Sequence, residues 1–243
     1  MNEPQKFNNF INGQWKEPQG GNYYPDINPA DYSDIVGYFP LSTKNDVDEA
    51  IQAAHIAFKS WSHMLPAERA RYLEKFAQLL DKEKEGIGEA LCREEGKTLK
   101  EAIGEPSRGV VETSFFIGEG QRLEGITMPS DRKGVVSVAT RVPIGVVAAI
   151  SPWNFPFLTP VRKVIPALVF GNTVVFKPAS DTPYCAVLLM ELFEKAGLPP
   201  GVVNLVIGKG SAIGDVISSN PLVNGITFTG STIVGRRINQ LAS

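Results

Sequence analysis

Ile144-Gly145-Val146-Val147-Ala148-Ala149-Ile150 followed by Ser151-Pro152-Trp153-Asn154-Phe155-Pro156 is the stretch that decides the fold. The first part is a short, continuous apolar run. Bounded by Pro143 and Ser151-Pro152, it predicts a strand buried on both faces. A helical pattern, Phe157–Phe170, follows it. The same order recurs three times. Strand Thr173–Phe176 precedes helix Thr182–Ala196, strand Val202–Ile207 precedes helix Ala212–Ser219, and strand Ile226–Thr229 precedes helix Thr232–Leu241. Gly171-Asn172, Gly197 and Asn220-Pro221 punctuate the helix ends. Repeated βα units imply right-handed crossovers. The predicted fold class is therefore α/β, a doubly wound parallel sheet over residues 144–243.

Upstream the pattern differs. The first forty residues are rich in Asn, Pro, Gly and Tyr, and Phe10-Ile11-Asn12-Gly13-Gln14-Trp15 reads as a hairpin around Asn-Gly. Val47, Ala50, Ile51, Ala54 and Phe58 then keep helical spacing, with Ser42-Thr43 and Asn45 as candidate caps. Pro66 opens a second helix that ends in the charged run Asp81–Glu85; a third covers Ile87–Glu95 and a fourth Leu99–Gly118. Their apolar faces read as core. Val135–Val142 alternates like a strand. The chain thus divides into turns and helices (1–130), a strand segment (131–143) and the βα units (144–243).

Composition excludes several classes. With 243 residues, 43% of them hydrophobic, the chain can bury a sizeable core. A net charge of −2, with both signs mixed, gives no case for nucleic acid or an anionic membrane. No run is apolar enough to span a bilayer, and Met1–Phe10 is polar, without the core of a secretory signal. Cys92 and Cys185 form neither a disulfide framework nor a metal spacing, which points to a reducing compartment, the cytoplasm, and to no metal. His55 and His63 lie in or just after one predicted helix, away from strand ends, and read as structural.

Candidate chemistry gathers where strands end and helices begin, which is where doubly wound proteins bind nucleotides. Gly208-Lys209-Gly210-Ser211-Ala212-Ile213-Gly214 spaces its glycines one residue wider than the dinucleotide fingerprint. Its glycines would let backbone approach a ligand or a neighbouring strand. Lys177, fixed by Pro178, either hydrogen-bonds ribose hydroxyls or is a solvated lysine. Ser180 can donate a hydrogen bond and cannot repel a 2′-phosphate as an acidic residue would. Asn154 either caps the helix after it or donates to a developing oxyanion. Gly230-Ser231 suits a pyrophosphate at a helix N-terminus, and a serine N-cap is compatible with that.

Taken in order, these strings resemble the aldehyde dehydrogenase superfamily. The resemblance starts at Phe10-Ile11-Asn12-Gly13, passes through Asn28-Pro29-Ala30 and Glu94-Glu95-Gly96-Lys97, and is dense from Pro143 to Arg237. It rests on Pro143–Val147, Ser151–Pro156, Pro166-Ala167-Leu168, Gly171–Val175, Lys177-Pro178 and Phe228–Thr232. It implies a Rossmann-like cofactor domain, with 131–143 belonging to a β-arm used in subunit pairing. It also implies NAD(P)-dependent oxidation of an aldehyde to an acid, through a cysteine thiolate, an oxyanion held by an asparagine and a glutamate-activated water. The asparagine maps onto Asn154. Cofactor contacts map onto Ile150, Ser151, Pro152, Trp153, Lys177, Pro178, Ala179, Ser180, Gly210, Gly214, Phe228, Thr229, Gly230, Ser231 and Val234. Many members carry glutamate at Ser180; serine there resembles members that accept NADP, so NADP or NAD is expected.

Arg162 and Phe155 map to the aldehyde tunnel. An arginine there can clamp a carboxylate, as in members oxidising succinate or ketoglutarate semialdehyde. Arg162 and Ser180-Asp181-Thr182-Pro183 also resemble benzaldehyde-type members. The chain stops at Ser243, about half the family length, and neither Cys92 nor Cys185 has the nucleophile's context. The expectation is a cofactor half whose catalytic domain is absent and which has no turnover alone: an inactive dinucleotide-binding fragment of a family whose members form dimers or tetramers.

Overall fold

The computed structural model describes residues 4–243, so the first three residues of the polar Met1–Phe10 stretch lie outside the described residues. The N-terminal part holds β1 (Asn9–Ile11), β2 (Gln14–Lys16), β3 (Tyr23–Ile27) and β4 (Ile35–Pro40). Helices α1 (Lys44–Trp61), α2 (Pro66–Glu95) and α3 (Leu99–Gln121) follow, then β5 (Ile126–Met128) and β6 (Ser137–Ala139). The alternating part is β7 (Val146–Ile150), α4 (Leu158–Val169), β8 (Thr173–Lys177), α5 (Tyr184–Ala196), β9 (Val203–Leu205), α6 (Gly210–Ser218), β10 (Val223–Phe228) and α7 (Thr232–Leu241).

The main sheet has the order β10-β7-β8-β9-β1-β2. Its first four strands are parallel. The chain moves outward from β7 through β8 to β9, then crosses back to lay β10 on the other side of β7. That reversal makes a doubly wound sheet with its switch point at β7/β10. The period-two alternation sorts side chains between two cores. Val146, Ala148, Ile150 and Val175 join Ile213 and Ile217 of α6 and the Val47-Ala50-Ile51-Ala54 stripe of α1. Ala149, Val174, Phe176 and Leu205 face α4 and α5, which α2 and α3 back from outside.

The Asn-Gly hairpin forms as predicted, with Asn12 (φ 53°) and Gly13 (φ 74°) in the left-handed region, and β1 extends the main sheet antiparallel to β9. Residues Pro66–Glu95 form one helix where the sequence predicts two. Lys and Glu in the charged run are good helix formers, and that run faces outward. The buried stripe Leu73, Phe76, Leu80, Ile87, Leu91 continues past it. Gly96, at φ 83°, ends the helix.

Strand β7 begins at Val146 rather than Ile144. Gly145 takes φ +130°, and an added Cβ would lie 2.0 Å from Asn224 Oδ1. That oxygen accepts from Val146 N (3.0 Å). Strand β10 begins earlier than predicted, at Val223, and is only half buried because it lies at the edge of the sheet, with β7 its one partner strand among the described residues. In the Val135–Val142 segment only Ser137–Ala139 is strand, paired antiparallel with Ile126–Met128 in an exposed hairpin.

Candidate functional site

Three strand ends lie level at the switch point. Ile150 is in register with Lys177 on one side and Phe228 on the other. Two backbone hydrogen bonds carry that alignment past the strands: Ser151 N donates to Lys177 O (3.3 Å) and Thr229 N to Ile150 O (3.1 Å). The loops opening at Ser151, Pro178 and Thr229 therefore start side by side. The three junctions that the sequence separates by tens of residues become one edge.

That edge is open. Ser151 Oγ is buried and has no hydrogen-bond partner among the described residues, which leaves a polar atom for a ligand to satisfy. Nothing lies within 4 Å of a Cβ added at Gly210 or Gly214. Their absent side chains thus leave open space rather than accommodating a neighbouring strand. The close backbone approach falls instead at Gly208, where an added Cβ would meet Ile213 Cδ1 at 3.0 Å and Ser42 N at 3.3 Å. Ser231 caps α7 by accepting from Val234 N (3.3 Å). Beside it, Phe228, Gly230, Ser231 and Gly235 line a cavity of about 480 Å³. A second cavity of about 470 Å³ is bounded by Tyr24, Asp26, Trp153, Ser180, Thr182 and Lys209.

Lys177 is not a solvated lysine. It is 5% exposed, and its ammonium donates to Pro178 O (2.8 Å). Burial pulls its pKa down to about 8, with Asp181 opposing the shift. Ala179 and Ser180 are half-buried; Ser180 Oγ donates to Gly208 O (3.2 Å), and Tyr24 Oη donates to Ser180 O (2.9 Å). The Lys177–Ser180 loop is thus tied to the loop before α6 and to the β3–β4 hairpin. Glu94, at the end of α2, caps the helix that follows this loop: its carboxylate accepts from Tyr184 N and from Cys185 N (3.0 Å) at the start of α5. Burial beside Asp26 pushes the Glu94 pKa well up, and burial raises Asp26 as well.

Asn154 does not cap the helix that follows it, contrary to one sequence reading. Glu105 of α3 does so across space, its Oε2 accepting from Phe157 N (3.2 Å) and Leu158 N (3.0 Å). Asn154 is exposed, and its side-chain amide forms no hydrogen bond among the described residues. Its backbone oxygen accepts from Lys97 Nζ (3.1 Å). Trp153 is exposed at the cavity rim, while Pro152 is half-buried. Phe155 lies under Lys97, the ammonium 4.6 Å from its ring centroid. Arg162 is exposed and already paired: its guanidinium donates to Glu112 Oε1 (2.8 and 3.2 Å), and that pairing holds the Glu112 carboxyl below its ordinary range.

Sequence reasoning assigned no role to Lys97, Glu105 or Lys163. Lys163 is 8% exposed, donates to Thr227 Oγ1 on β10 (3.2 Å), and has its pKa lowered by burial. A lysine on the apolar face of the α4 pattern was the available signal. Neither cysteine meets the edge. Cys185 is wholly buried with its thiol pushed up by desolvation, and Cys92 lies on α2; both are free thiols.

The α-ketoglutaric semialdehyde dehydrogenase of Bacillus subtilis (strain 168) is 46% identical over 242 residues, 100% of this chain and 50% of that protein. The succinate-semialdehyde dehydrogenase [NADP(+)] of Escherichia coli (strain K12) is 40% identical over 231 residues, 95% of this chain and 48% of that protein. Among solved structures, an NADP-dependent glyceraldehyde-3-phosphate dehydrogenase from Bacillus halodurans C-125, complexed with NADP, superposes with a TM-score of 0.94. It is 39% identical and matches 98% of this chain and 51% of that one. The chain spans about half the length of the curated relatives it matches. Residues 15–243 match the aldehyde dehydrogenase family, and the chain belongs to that family.

Proposed function

We propose that this chain forms the cofactor-binding half of an enzyme that oxidises an aldehyde to an acid with NADP or NAD. The observation that carries the reading is the level edge at β7, β8 and β10, closed by the Ser151–Lys177 and Thr229–Ile150 backbone hydrogen bonds. When bound, the nicotinamide cofactor supplies the hydride acceptor. The chain's own residues do the rest of the binding. Ile150, Ser151, Pro152 and Trp153 form one wall, and Lys177, Pro178, Ala179 and Ser180 hold the adenosine ribose. Gly210 and Gly214 leave backbone open beside α6, while Phe228, Thr229, Gly230, Ser231 and Val234 meet the cofactor at the N-terminus of α7. Ser180 in place of an acid leaves room for a 2′-phosphate, and the NADP-dependent relatives support that choice. Asn154, with its amide free, donates to the oxyanion.

The nucleophilic thiolate comes from outside the described edge. Cys185 is sealed in the core and Cys92 stands on α2, so the 243 residues alone bind cofactor without turnover. That is the observation favouring a second reading, a dinucleotide-binding module without chemistry. For the substrate we favour a carboxylate-bearing semialdehyde, since the two curated relatives described above act on such aldehydes by name. Arg162 reads such a carboxylate by exchanging it for Glu112. The two free thiols suit a reducing cytoplasm, and the exposed β5–β6 hairpin suits assembly into a dimer or tetramer.

Calorimetric titration of the chain with NADP and NAD tests the cofactor reading. NADP is expected to bind at least as tightly as NAD, and Ser180→Glu to weaken NADP by roughly tenfold or more through like-charge repulsion. A strong preference for NAD, or no effect of Ser180→Glu, would overturn the assignment. For the substrate, in an active enzyme made by joining this chain to the C-terminal half of the Bacillus subtilis relative, Arg162→Leu is expected to raise the semialdehyde KM and leave that of an uncharged aldehyde unchanged.

A further inference from the structure

In the Glu94-Glu95-Gly96-Lys97 string, Glu94 and Glu95 border the cavity beside Ser180, and Lys97 reaches the Asn154 turn. Its side chain is 12% exposed. It pairs with Glu95 (2.9 Å) and with Glu105, whose side chains are 8% and 2% exposed. It also donates to Asn154 O (3.1 Å) and sits 4.6 Å from the Phe155 ring centroid. Glu105 then continues the chain of contacts, its second oxygen accepting from Phe157 N (3.2 Å) and Leu158 N (3.0 Å). Residues 154–158 are therefore gripped at both ends by one buried ion cluster rooted on α2 and α3.

The electrostatics explain why the cluster holds. Two carboxylates share one ammonium, and the excess negative charge sits against the N-terminus of α4, where free backbone N–H groups favour an anion. A buried, charge-assisted network of this kind is stiff, and removing its cation leaves two carboxylates facing each other. Meanwhile the Asn154 amide is exposed and unpartnered among the described residues. The backbone of the turn is held while the amide is left available to a ligand.

We infer that Lys97 is a positioning residue for Asn154: held by Glu95 and Glu105, it fixes the backbone of the turn that presents the Asn154 amide to the oxyanion. The inference rests on the oxyanion reading of Asn154. Lys97 touches neither substrate nor cofactor; it acts through the 154–155 peptide and through Glu105.

A double-mutant cycle in the active enzyme tests it. Where the 243 residues turn nothing over, the active enzyme is this chain joined to the C-terminal half of the Bacillus subtilis relative. Asn154→Ala is expected to lower kcat by about 100-fold or more, the usual loss for an oxyanion donor. Lys97→Met should lower kcat by roughly 10- to 100-fold with KM within about threefold, because misplacement of a donor acts on the transition state. In the Asn154→Ala background Lys97→Met should add less than about twofold, since the two act as a unit. Lys97→Arg should restore most of the rate. Should Lys97→Met fold poorly, the Glu95→Gln/Lys97→Gln pair removes a carboxylate along with the cation and gives the same comparison.

A second measurement uses the 243-residue chain itself. Amide hydrogen exchange at Phe157 and Leu158 should quicken at least about tenfold in Lys97→Met, as the clamp on that turn opens. Unchanged exchange, an unchanged kcat, or a loss that multiplies fully with Asn154→Ala overturns the role of Lys97 while leaving the oxyanion reading intact. An Asn154→Ala enzyme of undiminished kcat overturns both.

Discussion

A single burial decides how Lys177 behaves. A free lysine stays charged to pH 10.5; in this fold desolvation brings the group down to about 8. The neutral form is favoured by the fold, so this group makes the folded state more stable as pH rises from about 8, while the unfolded lysine still holds its proton. Ligand binding runs the other way. On the proposed reading, in which Lys177 lies beside the adenosine ribose, a 2′-phosphate there, whose second pKa is near 6, keeps its charge above neutrality, but the ammonium beside it is lost. NADP affinity is therefore expected to fall by up to about tenfold between pH 7 and pH 9, and Lys177→Met should flatten that dependence in calorimetric titrations. A profile that stays steep in the variant would assign the titration to another group. Position in the sequence showed that Lys177 ends a strand. It could not show that the amine folds back onto Pro178 O, or that Tyr24 of the β3–β4 hairpin ties the loop down through Ser180 O.

Among the elements, α2 shows where periodicity was legible and where it misled. Its apolar stripe was visible, but the charged run Asp81–Glu85 reads as an end. The structure runs straight through it, because Lys195 of α5 reaches Glu83 (3.1 and 3.2 Å) and the buried stripe resumes at Ile87. Phe76 stacks on Phe193 of α5 with ring centroids 4.4 Å apart, both fully buried. Phe76→Ala is expected to cost about 3–5 kcal/mol, the range for emptying a buried aromatic site, and urea unfolding would measure it. Gly214 gives the opposite sign. It lies inside α6 with open space where a Cβ would stand, so Gly214→Ala should stabilise the chain by about 0.5–1 kcal/mol. If Gly214 leaves room for cofactor as proposed, the same variant should weaken NADP binding, and unchanged affinity would remove Gly214 from the site.

For the whole molecule, the open question is what the β5–β6 hairpin meets. Ile126, Met128 and Val138 are exposed on a two-stranded ribbon whose edges pair with no other strand among the described residues. Short apolar edges of that kind invite pairing. Light scattering is expected to give a mass above that of the 26.4 kDa chain, and Val138→Lys should lower it. A monomer in both cases would remove the arm from assembly.

By itself the sequence determined the alternation of strand and helix, the two-sided burial of β7, β8 and β9 and the ordered motifs that mark the family. Those properties are local: period, glycine and proline punctuation, and residue type act within a few positions. Only the tertiary structure decided the strand order with its switch at β7/β10, the burial of Lys177, the pairing of Arg162 with Glu112 and the Lys97–Glu105 grip on the Asn154 turn. Each of these joins residues tens of positions apart through desolvation and charge pairing, and such energies depend on which groups the folded chain brings within a few ångströms of one another.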